Sequence, residues 1–233
     1  TGLHGYVGLG IANMPEYIGG DKSGNVIVPL VNVTYNDMLY FKFNRLGGWF
    51  YKNQQSEHGF KAGAMLTKHA GHNVSDLPDN LKTLLGVNRK DSTMFGVNGI
   101  YHNNTFTAEL GYLVDISNAS DGSKYFFDVA YQVISEAKYQ LTLTAKVEVL
   151  STDLTSYYYS TMVNTPSLNN VNEYNATSTA NIMLGAVGNY KYNEQVSLIG
   201  AMTITTLGAE IANSPLSKDD YFNMLMIGAM YSF

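Results

Sequence analysis

Apolar and polar residues alternate along most of this chain, in segments of about ten residues that turn-forming residues separate. From Tyr139 to Val149 every second residue is apolar, and the residues between them are Gln, Thr, Lys and Glu. The same two-residue period recurs in segments that begin at Phe106, Tyr125 and Val196. Because successive side chains of a β-strand point to opposite faces, these segments predict strands with one apolar and one polar face.

The composition places these strands in a membrane. Charged residues make up 14% of the chain and hydrophobic residues 45%, whereas soluble domains carry about 25% charged residues. The sequence has no apolar run of about 20 residues, the length that a membrane-spanning helix needs. The apolar faces often begin or end in an aromatic residue, as strands do where they cross the membrane interface. We therefore predict an all-β fold, a transmembrane antiparallel up-and-down β-barrel.

The lengths of the connections predict the number of strands. Short connections such as Asn36–Asp37 alternate with long ones such as 151–180. Bacterial barrels have short periplasmic turns, long extracellular loops and an even strand number. A tight turn at Gly47–Gly48 then splits the region after residue 38 into two strands. We predict one barrel domain over residues 1–233 with about 12 strands, at residues 3–12, 25–35, 38–44, 48–54, 57–70, 91–101, 105–115, 124–134, 139–150, 181–192, 196–207 and 221–233.

Charge and the two ends of the chain suggest where the protein resides. The net charge of −5 argues against nucleic acid as a partner, because phosphates attract basic proteins. The chain starts at Thr1 without a basic and apolar leader, so we expect a signal peptide to have been removed. The last strand alternates up to Tyr231 and Phe233, which resembles the signal that the barrel assembly machinery recognises. We expect a multi-pass protein of a Gram-negative outer membrane, surrounded by lipid and lipopolysaccharide.

One segment near the start of the chain carries a family resemblance. Pro15, Tyr17, Gly19 and Asp21 precede a strand with an apolar core that contains Pro29. This arrangement resembles the opening of the MipA/OmpV family of outer-membrane proteins, although a Gly follows Gly19 where the family has Ser.

A second segment, Ala212-Asn213-Ser214-Pro215-Leu216, and the final alternating strand also resemble this family. The resemblance runs from about Gly5 to the C-terminus. The chain departs from the family at Lys68-His69-Ala70-Gly71-His72, where a Gly-Arg-Asp run is common, so any role of that Arg is not carried over.

The resemblance implies an outer-membrane scaffold linked to peptidoglycan processing. MipA-like members are named for holding a murein lytic transglycosylase near a murein synthase, and other members are linked to adhesion, antibiotic uptake and osmotic response. The family has no agreed catalytic residues. We therefore predict no enzyme activity, cofactor or metal, and we keep two alternatives to the scaffold: a narrow, porin-like channel for small polar solutes or antibiotics, and a surface adhesin or receptor that uses the 151–180 loop.

The inward faces of the predicted strands carry charges of both signs. An unpaired charge in a narrow lumen is costly, so these side chains form either a structural network or the lining of a selective pore. The predicted lumen-facing charged residues are Lys42, Lys61, Glu109, Asp128, Lys146, Glu148 and Lys191.

The end of the fifth predicted strand and the loop after it contain candidates for catalysis or metal binding. His69 and His72 are followed by Ser75 and Asp76. A catalytic triad needs these types in contact, and a zinc site needs a third ligand beside two imidazoles. We interpret this segment as a polar loop.

A separate candidate, Asp219-Asp220 with Glu210, could hold a divalent ion that bridges lipopolysaccharide, and we interpret it as a solvated loop. The 151–180 loop, rich in Tyr, Ser, Thr and Asn, is an ordered lid, a lumen plug or a disordered surface loop.

Overall fold

Twelve antiparallel strands form a closed barrel, in which each strand pairs with its sequence neighbours and β1 pairs with β12. The computed structural model describes residues 2–54, 57–73, 75, 88–161 and 173–233. The predicted up-and-down barrel is confirmed. The strands are β1 Leu3–Pro15, β2 Ser23–Tyr35, β3 Leu39–Lys42, β4 Arg45–Gln54, β5 His58–His69, β6 Ser92–Asn103, β7 Phe106–Asp115, β8 Ser123–Ser135, β9 Tyr139–Leu150, β10 Thr179–Lys191, β11 Val196–Thr206 and β12 Tyr221–Ser232.

The two-residue period separates the outside of the barrel from its lumen. In β1, Leu9 and Ile11 are exposed on the outer face, whereas Ala12 is completely buried. The outer face of the other strands is also apolar, with exposed residues such as Leu110 and Ile227. A barrel that presents apolar side chains outward all around is suited to a lipid environment.

The connections differ in length at the two ends of the barrel, which we call the turn end and the loop end. At the turn end, β2 and β3 are joined through Asn36 and Asp37, whose φ angles are 50° and 55°. Two consecutive positive φ angles are typical of the type I′ turn, whose twist matches that of antiparallel strands. At the loop end, β5 and β6, and also β9 and β10, are joined by the longest connections.

The third and fourth strands differ from the prediction. The tight turn lies at Phe43–Asn44, where Phe43 has a φ of 54°, and not at Gly47–Gly48, which lie inside β4. Tyr40 explains this difference, because a side chain at Gly47 would collide with its ring. Tyr40 stacks on Trp49 with 4.9 Å between ring centroids. The glycine therefore provides space for an aromatic pair in the lumen.

The lumen is filled with side chains. One apolar cluster lies toward the loop end and includes Met65, Met94 and Phe126. A second cluster, with Leu30 and Met226, lies against β1, β2, β11 and β12.

Two helices lie at the loop end, α1 over Thr152–Tyr159 and α2 over Ala209–Ala212. Both contribute buried residues to the first apolar cluster. Of the helices in the described part of the chain, neither has the length and hydropathy of a membrane-spanning helix.

Candidate functional site: the charged lumen and its plug

A network of ion pairs crosses the lumen beside the apolar cluster of the loop end and shares Phe126 with it. Its centre is Arg45, the first residue of β4. One guanidinium nitrogen, Nη1, lies 3.3 Å from both carboxylate oxygens of Glu109, and Nη2 lies 3.6 Å from Asp128 Oδ2. Asn98 also donates to Glu109, at 2.8 Å. Side chains of β4 and β6 therefore bind Glu109, which belongs to β7.

The network continues toward the loop end through two lysines. Lys146 Nζ lies 4.0 Å from Asp128 Oδ1 and 3.6 Å from Glu148 Oε1. Lys124 Nζ lies 3.0 Å from Glu148 Oε1 and 3.4 Å from His69 Nδ1. Each carboxylate of the network thus has at least one cation within 4 Å. Such pairing is expected, because a buried charge without a partner destabilises the fold.

Two cations at the centre of the network, Arg45 and Lys146, lie over the ring of Phe126. The Arg45 guanidinium carbon lies 4.9 Å from the ring centroid, and Lys146 Nζ lies 5.4 Å from it. A ring face attracts a cation within about 6 Å. The buried phenylalanine therefore stabilises both cations while it fills the lumen.

A polar cavity of about 110 Å³ lies beside this network. Asn44 and Lys68 lie on the side of the β3–β4 hairpin tip. Lys124, Lys146 and Glu148 lie on the opposite, luminal side. The lining also includes Arg45, Thr67, Leu113 and Phe126.

Four of the seven predicted lumen charges lie in the network, namely Glu109, Asp128, Lys146 and Glu148. The other three, Lys42, Lys61 and Lys191, lie outside it.

Sequence reasoning missed Arg45 and Lys124, each for its own reason. Arg45 was assigned to a connection because the third strand was predicted to end at residue 44. Lys124 lies on the same face of β8 as Phe126 and Asp128. The alternation of the sequence therefore already indicated that Lys124 points into the lumen.

Helix α1 closes the lumen at the loop end. Its N-cap is Ser151, whose side chain accepts a hydrogen bond from the Leu154 amide. Leu154 and Tyr158 are almost completely buried among the residues of the lumen. The Tyr158 hydroxyl donates to the Lys90 carbonyl at 2.8 Å and lies 3.0 Å from Ser92 Oγ. The described part of the 151–180 loop is therefore an ordered plug, and its residues 162–172 lie outside the described residues.

The two segments that carry the family resemblance meet above this plug. The buried Tyr17 hydroxyl donates to the Leu216 carbonyl at 3.0 Å. Gly19 has a φ of 90° and accepts a hydrogen bond from the Lys218 amide at 2.7 Å. Ser214 Oγ donates to the Tyr159 carbonyl at 2.6 Å. The β1–β2 and β11–β12 loops therefore hold each other and hold α1.

The remaining residues of the predicted motifs lie apart from these contacts. Pro15 ends β1, Asp21 is exposed in the following loop, and Pro29 lies within β2. Tyr231 pairs with Val196 of β11 and is part of the outer face. The Phe233 amide and carbonyl exchange hydrogen bonds with Gly5, which extends the pairing that closes the barrel.

Burial changes the acidity of the tyrosines around the plug. Removal from water raises the pKa of Tyr158 to about 12. Burial, with a smaller contribution from the Asp21 and Asp219 carboxylates, raises the pKa of Tyr17 to about 12. Loss of hydration disfavours the charged phenolate, so both side chains are neutral hydrogen-bond donors near neutral pH.

The histidines near the loop end pack around Tyr158. Its ring centroid lies 4.9 Å from that of His69 and 6.1 Å from that of His72. The sequence offered His69, His72, Ser75 and Asp76 as a candidate catalytic set. Of these residues, Asp76 lies outside the described residues. Within the described ranges, no three His, Asp or Glu side chains are grouped as metal ligands.

A closed barrel with an apolar outer face, short turns at one end and longer loops at the other is a β-barrel of the outer-membrane type. The model of one family, MltA-interacting protein MipA, matches residues 7–233. The chain therefore belongs to the MipA family, which confirms the resemblance, and family and fold together support an outer-membrane location. Comparison with curated protein sequences gives no match.

Solved outer-membrane proteins are similar to this chain in fold. Outer-membrane expressed OmpT of Vibrio cholerae aligns with a TM-score of 0.49 at 11% identity, over 99% of this chain and 97% of that chain. An outer-membrane channel from Pseudomonas putida F1 aligns with a TM-score of 0.46 at 10% identity, over 100% and 96%. A FadL homologue from Pseudomonas aeruginosa gives 0.41 at 7% identity, over 98% and 89%.

Proposed function

We propose that this outer-membrane barrel is a non-catalytic scaffold that holds a murein-processing enzyme at its turn end, which faces the periplasm. The family description, MltA-interacting protein, is the observation that carries this proposal. The partners would be a murein lytic transglycosylase and a murein synthase, with lipid and lipopolysaccharide around the barrel and the barrel assembly machinery acting during its biogenesis.

The plug at the loop end favours a binding role over free diffusion along the barrel. Helix α1 and the two loops above it fill the loop end, and the charges below it are paired with one another. The surface at the turn end is then available for an interaction.

The turn end is large enough for one protein interface. Twelve strands about 4.8 Å apart and tilted by about 40° give a backbone diameter of roughly 24 Å. With side chains, the end of such a cylinder covers roughly 900 Å², close to the about 800 Å² that one partner buries in a standard interface. Its exposed turns and strand ends carry charges of both signs: Asp37, Lys52, Glu57, Glu136, Lys138, Lys191 and Glu194.

Binding of purified lytic transglycosylase to the barrel in lipid nanodiscs tests this proposal. The double variant Glu136→Lys/Glu194→Lys reverses two exposed charges of the turn end, and we expect it to weaken binding by about tenfold or more. The matched control, Asp219→Lys, reverses an exposed charge at the loop end and should leave binding unchanged. Absence of binding by the unaltered barrel, or equal effects of both variants, would exclude the scaffold.

A second candidate is a gated channel for small polar solutes, which the polar cavity beneath the plug supports. We expect the unaltered protein to show no conductance above leak in planar bilayers. Replacing Thr152–Tyr159 with a Gly/Ser segment of equal length should open it, because α1 occupies the mouth. If this variant is folded and still does not conduct, the channel is excluded.

A further inference from the structure

In the part of the chain that the structure describes, the barrel wall between β2 and β5 is closed only in its turn-end half. Strand β2 has 13 residues and β3 has four, so β3 pairs only with the part of β2 from Asn32 to Tyr35. On the other side of the hairpin, β4 begins at Arg45. Within the described ranges, no strand pairs with Ser23–Val31 on the side away from β1. Since two strands are missing there, the gap between β2 and β5 is up to roughly 14 Å wide.

The edge of β2 at this gap presents backbone polar groups. The Phe43 amide donates to the Val31 carbonyl at 2.8 Å, so the backbone groups of Val31 point away from β1. Because this direction alternates along a strand, the N–H and C=O groups of Asn25 and Ile27 also point into the gap. Pro29 has the same parity and has no N–H, as expected of a proline at an unpaired edge.

Solvent exposure shows that the gap opens the interior. Val26 and Ala12 are partners in the β2–β1 register and both point inward. Ala12 is 0% exposed, whereas Val26, next to the gap, is 41% exposed. Leu30, which also points inward but lies closer to the hairpin tip, is 0% exposed, so the interior is open toward the loop end of the gap. On the outer face, Ile27 is 75% exposed. Tyr17 of the loop after β1 bounds the gap at the loop end, because it bonds to the β11–β12 loop and packs against His72 beyond β5, with 5.9 Å between ring centroids.

An open sheet edge facing hydrocarbon would be costly, because lipid cannot satisfy its backbone groups. Such backbone is tolerated where it lines a polar space. The polar cavity provides this space, since Asn44 and Lys68 lie at the gap while Lys124 and Lys146 lie in the lumen. Its lining contains four cations and the single carboxylate of Glu148. Arg45, Lys146 and Lys68 are also paired with Glu109, Asp128 and Asp91, which are not part of the lining.

We propose that the gap admits a membrane amphiphile whose phosphate headgroup binds in this cavity while its acyl chain stays in the outer face beside Ile27. Lysine and arginine side chains bind phosphate through charge-assisted hydrogen bonds. The cavity of about 110 Å³ exceeds the roughly 30 Å³ that one water occupies in the liquid and suits a phosphate group. This lipid site is independent of a scaffold at the turn end.

Native mass spectrometry of the full chain in a neutral maltoside detergent tests the lipid site. The probes are lysophosphatidic acid, a monoacylglycerol with the same acyl chain, and inorganic phosphate. We expect the barrel to retain one lysophosphatidic acid at concentrations where the other two do not bind. Equal retention of the monoacylglycerol, or displacement of the lipid by an equal concentration of phosphate, would overturn the proposal.

Two variants test separate parts of the site. Lys146→Gln removes one cation while Lys124 still pairs with Glu148, and Asn44→Trp fills the gap at the hairpin tip. Each should weaken lipid retention by about tenfold or more. Asn104→Trp, an exposed change in a turn at the opposite end, is the matched control.

Unchanged lipid retention in a folded Asn44→Trp protein would overturn entry through the gap. Heat-dependent gel mobility reports the folded barrel for every variant. If Lys146→Gln does not fold, Lys146→Arg keeps the charge and should keep the lipid, while Asn44→Trp still tests the route.

Discussion

The Tyr17 hydroxyl donates a 3.0 Å hydrogen bond to the carbonyl of Leu216, 199 residues later in the chain. Both residues belong to the segments that resemble the MipA family, and both are buried. The bond joins the β1–β2 loop to the β11–β12 loop, whose Ser214 holds Tyr159 of the plug. The family motifs therefore build the closure of the loop end.

Removing this hydrogen bond should loosen the plug. Tyr17→Phe leaves the buried Leu216 carbonyl without its donor, and we expect a loss of about 1–2 kcal/mol in the free energy of unfolding. Urea titration of the barrel in lipid vesicles measures this change. The control is Tyr221→Phe at an exposed position, and an equal loss in both variants would contradict the role of the bond.

High pH should release the plug. The pKa of Tyr17 and the pKa of Tyr158 are both raised to about 12 by burial, above about 10 in an unfolded chain. Their contribution to stability is therefore complete below pH of about 10 and is lost as pH rises toward about 12. Titration of tyrosinate absorbance should show a late-ionising fraction. Tyr17→Phe and Tyr158→Phe should each remove one tyrosine from this fraction, and an unchanged fraction in both would refute the assignment.

Contact between the β7–β8 loop and α1 provides a steric test of the plug. A Cβ atom at Gly122 would lie 2.5 Å from the Leu154 side chain and backbone. Gly122→Ala should therefore displace α1 and cost about 1–3 kcal/mol, as overpacking does. Gly24→Ala is the control, since a Cβ atom there meets nothing within 4 Å. Hydrogen exchange of the α1 amides measures the displacement, and equal protection in both variants would contradict it.

Most of the fold was predictable from the sequence because bilayer and lumen impose opposite demands on alternate residues. The predicted turn at Gly47–Gly48 was wrong. Gly47 lies within a strand, where it makes room for the Tyr40 ring, and the turn forms at Phe43 instead. A phenylalanine with positive φ is uncommon, and no local pattern indicates it.

The candidate site was predictable only in part. Alternation placed Glu109 and Asp128 on the inward face, but which cation meets each of them depends on register between strands distant in sequence. The gap in the wall results from the short β3–β4 hairpin, and the length of this hairpin could not be predicted from the alternation of the sequence. Pro29 was the available signal, since proline inside a strand indicates an unpaired edge.

Arg45 should be the residue on which the charged network depends most. Arg45→Met removes a partner from both Glu109 and Asp128, and we expect a loss of about 3 kcal/mol, the lower end of the range for breaking a buried ion pair. Lys42→Met is the matched control, because Lys42 pairs with Arg45 across the hairpin in register but lies outside the network.

Adding Glu109→Gln to Arg45→Met should recover part of the loss, because it removes the carboxylate that has lost its cation. The free energies of unfolding of the two single variants and the double variant form a cycle that isolates the coupling between these side chains. We expect a coupling of about 1–3 kcal/mol. Additive effects would show that the Arg45–Glu109 contact contributes nothing beyond the packing of each side chain.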